Sequence, residues 1–226
     1  MQTISRYASI WWNALVHPEQ SGRLVIGTEA GARFDWFILI ASAVLYAFYG
    51  LSMGLFHSFA SGVVSCVKMP FLFLLSLAVC FYPLYVLNCV LGPRLRVRQT
   101  VRLLLVAISA NAAALGSYGP VSLFFTLTAF DKDYHFLIIM HVVVFGFAGI
   151  ASLFVIALAF RAAAAELRKP LRPVFIIAWG LLYAFVGTQM SWVLRPWVGC
   201  KGVPYTFFRT VGGSFIEAVW RVMHNF

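Results

Sequence analysis

A chain of 226 residues of which 62% are hydrophobic and 11% charged is no ordinary soluble domain, where roughly a quarter of residues carry charge. In a soluble protein the net charge of +10 would suggest nucleic acid, but here the basic residues fall mainly between long apolar runs, where they face anionic lipid headgroups. The composition therefore points to an all-α, polytopic membrane protein that binds membrane lipids and no nucleic acid.

Residues 4–16 place Ile4, Tyr7, Ala8, Trp11, Trp12 and Leu15 at spacings of three and four, opposite Ser5, Arg6, Ser9 and Asn13. This pattern predicts an amphipathic helix lying on the membrane surface and ending at Pro18. Glu19 to Asp35 reads as a loop at the headgroups, so residues 1–34 form an N-terminal unit with no removable leader. Residues 35–194 form the transmembrane domain, with spans expected at about 36–56, 70–91, 101–130, 134–160 and 173–194. Residues 195–226 are expected to hug the opposite surface. There Phe215, Val219, Trp220 and Met223 share one face of a second interfacial helix, opposite Glu217, Arg221 and His224.

Span one contains Gly50-Leu-Ser-Met-Gly54, which reads as ordinary close packing of helices before a dedicated dimer face. Span three is anomalous, because thirty residues make about 45 Å of helix against a hydrocarbon core of about 30 Å. Gly116-Ser-Tyr-Gly-Pro120 lies near its middle and predicts a kink or two half-helices, and Pro83 acts similarly in span two. Small residues around the break (Ala112, Gly116, Ser117, Gly119) would let span two approach. Asn88, Asn111, Ser117, Tyr118 and Gln189 form the candidate intramembrane polar cluster, with Asn88, Ser117, Tyr118 and Gln189 expected to supply missing hydrogen bonds at the break.

Eleven of the seventeen Lys and Arg residues fall in the N-terminal unit and in the loops after spans two and four. This asymmetry predicts a cytoplasmic N-terminus in a bacterial inner membrane, with the C-terminus outside. Arg94, Arg96, Arg98 and Arg102 in one loop, and Arg168, Lys169 and Arg172 in the other, are the candidate contacts to headgroups or to a partner.

No Asp, Glu, Lys or Arg is expected well inside a span, which argues against ion-coupled transporters, proton pumps and voltage sensors. His141 is the one titratable side chain deep enough to ligate a haem or chlorin, with His57 or His135 as second ligand. His135 and His141 are six residues apart, about 240° around a helix, so one face cannot present both. A hydrogen-bonded packing histidine is the simpler reading. The four cysteines follow no metal spacing, and no nucleophile and base fall together in a hydrolase motif, so no catalytic residue, metal or cofactor is assigned.

From Lys68-Met-Pro70 through Leu91-Gly92 and Arg98-Gln99 to Ser117-Tyr-Gly-Pro120, the chain resembles the Yip1-related five-span membrane proteins. That resemblance implies five spans with a cytoplasmic N-terminus. The chain lacks the long cytoplasmic arm through which eukaryotic members act in vesicle traffic, so recruitment of small GTPases is not implied. The resulting expectation is a non-enzymatic scaffold or accessory subunit that packs through its spans against other membrane-protein subunits or further copies of itself. The alternative is a membrane protein that binds haem or chlorin, or transports lipid.

Overall fold

The computed structural model describes residues 2–20, 31–128, 134–168 and 171–194. They form α1 (Gln2–Val16), a 3-10 turn (Pro18–Gln20), and five long helices: α2 (Ala32–Gly54), α3 (Phe59–Val90), α4 (Val97–Thr128), α5 (Tyr134–Glu166) and α6 (Pro173–Val193). All five are long and apolar enough to cross a bilayer, so the chain is an all-α, polytopic membrane protein. The second interfacial helix expected at the C-terminus lies outside the described residues.

Consecutive long helices run antiparallel, and their order across the bundle is α6, α3, α2, α4, α5. The start of α2, the α3–α4 and α5–α6 connections and α1 thus share one end. Arg6, Arg33, Arg94, Arg96, Arg98, Arg161, Arg168 and Arg172 are all exposed there. Lys68 is the only Lys or Arg of the described residues in the other half. At the basic end, Leu84, Leu95, Leu103, Phe160, Ala163 and Phe175 pack together. At the opposite end, the core is built from Tyr49, Met53, Phe56, Met69 and Leu137.

α4 is the central helix. Its residues 102–112 are buried without interruption, which a helix in lipid achieves only when protein surrounds it. Arg96 opens it, with its backbone N–H donating to Gln99 Oε1 at 2.9 Å, half of a capping box. Asn88, near the end of α3, clasps the connection by donating from Nδ2 to the Leu95 carbonyl (3.0 Å) and accepting from Leu95 N (3.3 Å).

Several expectations are corrected. α3 begins at Phe59, eleven residues before Pro70, with the Ser58 hydroxyl accepting from Ser61 N at 3.2 Å as its N-cap. Pro70 therefore lies inside the helix and opens nothing, and Lys68 becomes an intrahelical residue, 2% exposed, donating to the Leu194 carbonyl at the end of α6 (3.2 Å). Arg102 does not reach headgroups. It is buried, and its Nε donates to Asp35 Oδ1 at 2.9 Å while a terminal nitrogen donates to Oδ2 at 3.3 Å, joining the first turn of α2 to the second turn of α4. Charged groups thus do enter the bundle, each within the first three turns of its helix and each partnered.

The expected division into two half-helices at Pro120 is absent, because α4 runs helically through it, as α3 does through Pro83. Both prolines are exposed, so their rings project away from the packed interior. Of the small residues around it, Gly116 and Gly119 seat Leu45 and Phe48 of span one, whereas span two was expected there. α4 spans 32 residues, about 48 Å, so its excess length is carried as helix beyond the hydrocarbon core. The amphipathic helix α1 is present, but Tyr7, Ile10, Trp11 and Ala14 turn onto the bundle at Phe34, Phe37 and Leu105. Ile4 and Trp12 remain exposed.

Gly50 and Gly54 pack against α3 of the same chain. A Cβ on Gly54 would meet the Ser61 carbonyl at 2.7 Å and Gly62 Cα at 2.8 Å, and one on Gly50 would collide with the Ser65 carbonyl. Backbone cannot yield as a flexible side chain can, so Gly54→Leu should cost at least about 2 kcal/mol and reduce folded yield. Gly146→Ala, at a position with nothing nearby, should melt like the parent in fluorescence-detected unfolding. By the same measurement, Arg102→Met should destabilise by about 3–5 kcal/mol because it strands Asp35, and Asp35→Leu with Arg102→Met should recover most of the loss. Equal melting of the single and double variants would contradict the pairing.

Candidate functional site

α6 rests on α3 along one side and barely meets α5, leaving a groove of about 670 Å³ between them. The two walls touch toward the basic end, where Phe160 lies edge-on to Phe175 with centroids 4.9 Å apart and Leu153 packs against Gly180. Away from that end the walls part. A Cβ on Gly146, Gly149 or Gly187 would meet nothing within 4 Å, so these positions form the open part of a wedge whose blind end lies near the middle of the bundle.

The blind end is apolar but carries hydroxyls and an amide. Ser76 of α3, Asn111 of α4, Ser152 of α5 and Tyr183 of α6 line it, each near the middle of its helix. Two of these polar groups are used within the chain. The Tyr46 hydroxyl shares its one proton between the Ile108 carbonyl and Asn111 Oδ1, both at 3.0 Å, and Ser152 Oγ donates to the Ala107 carbonyl at 2.9 Å. Among the described residues, Ser76 Oγ and the Tyr183 hydroxyl are buried without a hydrogen-bond partner, as are the hydroxyls of Ser61 and Thr126 away from the groove. Aromatic faces flank the blind end: Phe73 stacks on Tyr46 (4.2 Å, 7°), and Trp179 stacks on Tyr183 (5.8 Å, 8°).

The residues expected to form one polar cluster are distributed along the bundle, and no hydrogen bond joins any two of them. Asn88 holds the α3–α4 connection and Asn111 lines the groove. Ser117 is exposed and donates to its own helix at the Ala114 carbonyl (2.7 Å), the Tyr118 ring meets Phe147 edge-on, and Gln189 is half-buried on α6. Arg94, Arg96, Arg98, Arg168 and Arg172 are exposed at the basic end, while Lys169 lies outside the described residues. Sequence reasoning did not single out Ser76 or Tyr183. The available signals were slight: Ser76 is the sole serine between Pro70 and Asn88, and Trp179 and Tyr183 are four residues apart on one helix face.

His141 is 2% exposed, and its Nδ1 lies 2.8 Å from the Tyr49 hydroxyl of α2, with the two rings edge to face. It is not among the residues lining the groove, and no cluster of three or more His, Cys, Asp or Glu side chains suited to a metal occurs among the described residues. The side chain of His135 lies outside the described residues. The geometry is that of a histidine tying α5 to α2.

No family model, curated protein or solved structure matches the chain. The site is therefore interpreted from its own residues.

His141→Leu removes the partner of a buried tyrosine hydroxyl, and should lower stability by about 1–3 kcal/mol. Tyr49→Phe in the same background should return part of that loss, with visible absorption unchanged throughout. A Soret or chlorin band in the parent that disappears in His141→Leu would identify a ligand instead.

Proposed function

We propose that the chain is a non-enzymatic accessory subunit or scaffold of a larger membrane complex, packing through its spans while its basic end lies on anionic lipid. The observation that carries this reading is the position of α6. In the most apolar stretch of α6, 11% of residues are buried, against 78% for α4, and the helix is held mainly through α3. Ile177, Leu181 and Phe185 are 60%, 68% and 54% exposed, which leaves a helix face available to another span. The charged and titratable groups of the interior are engaged in joining helices: Asp35 to Arg102, Lys68 to Leu194 and His141 to Tyr49. This use of them supports a packing role over catalysis.

The exposed arginines gathered at one end support a cytoplasmic N-terminus in a bacterial inner membrane. Kinship with the Yip1-related proteins is proposed on the short segments and the five-span architecture alone, and carries no activity. A second reading, binding of an apolar ligand, is favoured by the groove between α5 and α6.

Benzoylphenylalanine placed at Leu181 or Phe185 and photoactivated in cells tests the accessory role. Discrete protein adducts are expected there and not from Val86, which is exposed on α3. Lipid adducts alone at all three positions would defeat the proposal.

A further inference from the structure

We propose that α1 is an interfacial strap: it lies crosswise over α2, α4 and α5 in the leaflet at the basic end, with Ile4, Ala8, Trp12 and Leu15 inserted among lipid acyl chains. The inference rests on the reading that the basic end lies on the membrane, which it deepens, and is independent of whether α6 meets a partner subunit.

The contacts of α1 fix its direction. Near its start, the Tyr7 ring meets Phe34 and Phe37 of α2, with centroids 5.7 and 5.9 Å away. Ile10 and Trp11 then pack against the cluster that contains Leu105 of α4. The 3-10 turn that follows, with Pro18 buried, rests on α5. From Tyr7 to Pro18 is about 16 Å of helical rise. α2 and α5 flank α4 at the roughly 8–10 Å of packed helices, so they lie some 16–20 Å apart. α1 therefore bridges from α2 to α5 across the spans and runs along none of them.

Its depth is that of the boundary between headgroups and acyl chains. Phe34 and Phe37 lie in the first two turns of α2, and Leu105 is about 12 Å along α4 from Val97. α4 outreaches a core of about 30 Å by roughly 18 Å, and with that excess shared between its ends Leu105 falls just inside the hydrocarbon. Arg6 and Arg33 are exposed at this level, and α1 contains no acidic residue that anionic headgroups would repel.

A helix held crosswise at that depth needs three faces, toward protein, water and acyl chains. At about 100° per residue, Tyr7, Ile10 and Ala14 centre on the face against the bundle, and Ser5, Ser9 and Asn13 on a polar one. Ile4, Ala8, Trp12 and Leu15 form the third, and the three centres stand roughly 100–140° apart. The bundle does not cover this third face, where Ile4 is 64% and Trp12 62% exposed. One exposed apolar side chain is ordinary, but a stripe repeated at each turn from Ile4 to Leu15, on a helix lying in the boundary, matches the acyl side of an interfacial helix. Tryptophan suits this place because its amphipathic ring sits at headgroup level.

The test places the environment-sensitive fluorescent amino acid Anap at Trp12, Asn13 or Ile10 of the full chain, in nanodiscs of mixed phosphatidylcholine and phosphatidylglycerol. Phosphatidylcholine carrying a nitroxide high on its acyl chain quenches from the membrane, and iodide quenches from water. With the third face roughly 5–10 Å into the boundary, the nitroxide should quench the label at Trp12 at least about threefold more than at Asn13. Iodide should do the reverse, and the label at Ile10, against the bundle, should respond weakly to both. If the chain labelled at Trp12 fails to fold, the label at Ile4 serves the same purpose. Equal iodide quenching at Trp12 and Asn13 would overturn the strap by turning its third face to water. Weak quenching at Trp12 by both agents would overturn it by placing protein, from this chain or another copy, over that face. The anionic-lipid reading is separated by a label at Val97, between Arg96 and Arg98, where nitroxide-bearing phosphatidylglycerol should quench more than nitroxide-bearing phosphatidylcholine. Equal quenching there would sink the preference of the basic end for anionic lipid and leave the strap standing.

Discussion

The burial of residues 102–112 of α4 on every side is the constraint from which the arrangement of the other spans follows. A helix enclosed by protein within a bilayer has no water and little lipid to accommodate polar groups or awkward shapes, so each neighbour must match it locally. Arg102 is matched by Asp35, the Ile108 carbonyl and Asn111 by Tyr46, the Ala107 carbonyl by Ser152, and Ser122 by Ser52 at 3.1 Å. Gly116 and Gly119 accept Leu45 and Phe48 in the same way. α2 and α5 are thereby fixed on two sides of α4. α3 and α6 are placed at one remove, through α2.

Glycine has opposite uses in different parts of this bundle. At Gly50 and Gly54 it permits the backbones of α2 and α3 to approach more closely than any side chain would allow. At Gly146, Gly149 and Gly187 there is no neighbour, and the missing side chain is what keeps space open. The two cases look alike in a list of residues, and only the three-dimensional arrangement separates a glycine that closes an interface from one that maintains a void.

The number of spans and their approximate positions were legible in the sequence because hydropathy reports how much of a segment avoids water. The details that failed depend on pairing. Pro70 resembled the start of a helix because proline favours first turns, whereas the actual cap is Ser58, whose role requires only its own geometry with Ser61. Lys68 appeared to lie in the loop between spans one and two because its acceptor, Leu194, lies 126 residues away. Pro120 suggested a break, but an exposed proline in α4 leaves the buried face free to pack continuously. Ser76 and Tyr183 were inconspicuous for a related reason: no sequence pattern records whether the surrounding fold leaves a hydroxyl a partner.

The contact between Lys68 and the Leu194 carbonyl also bears on biogenesis. At about 5–20 residues per second, the ribosome takes roughly 6–25 s to make the 126 residues between them. Throughout that interval, the second span holds an ammonium group whose acceptor at the end of the last span does not yet exist. The lysine can make this contact only after the fifth span arrives. Synthesis of the last helix is thus coupled to the final seating of the second.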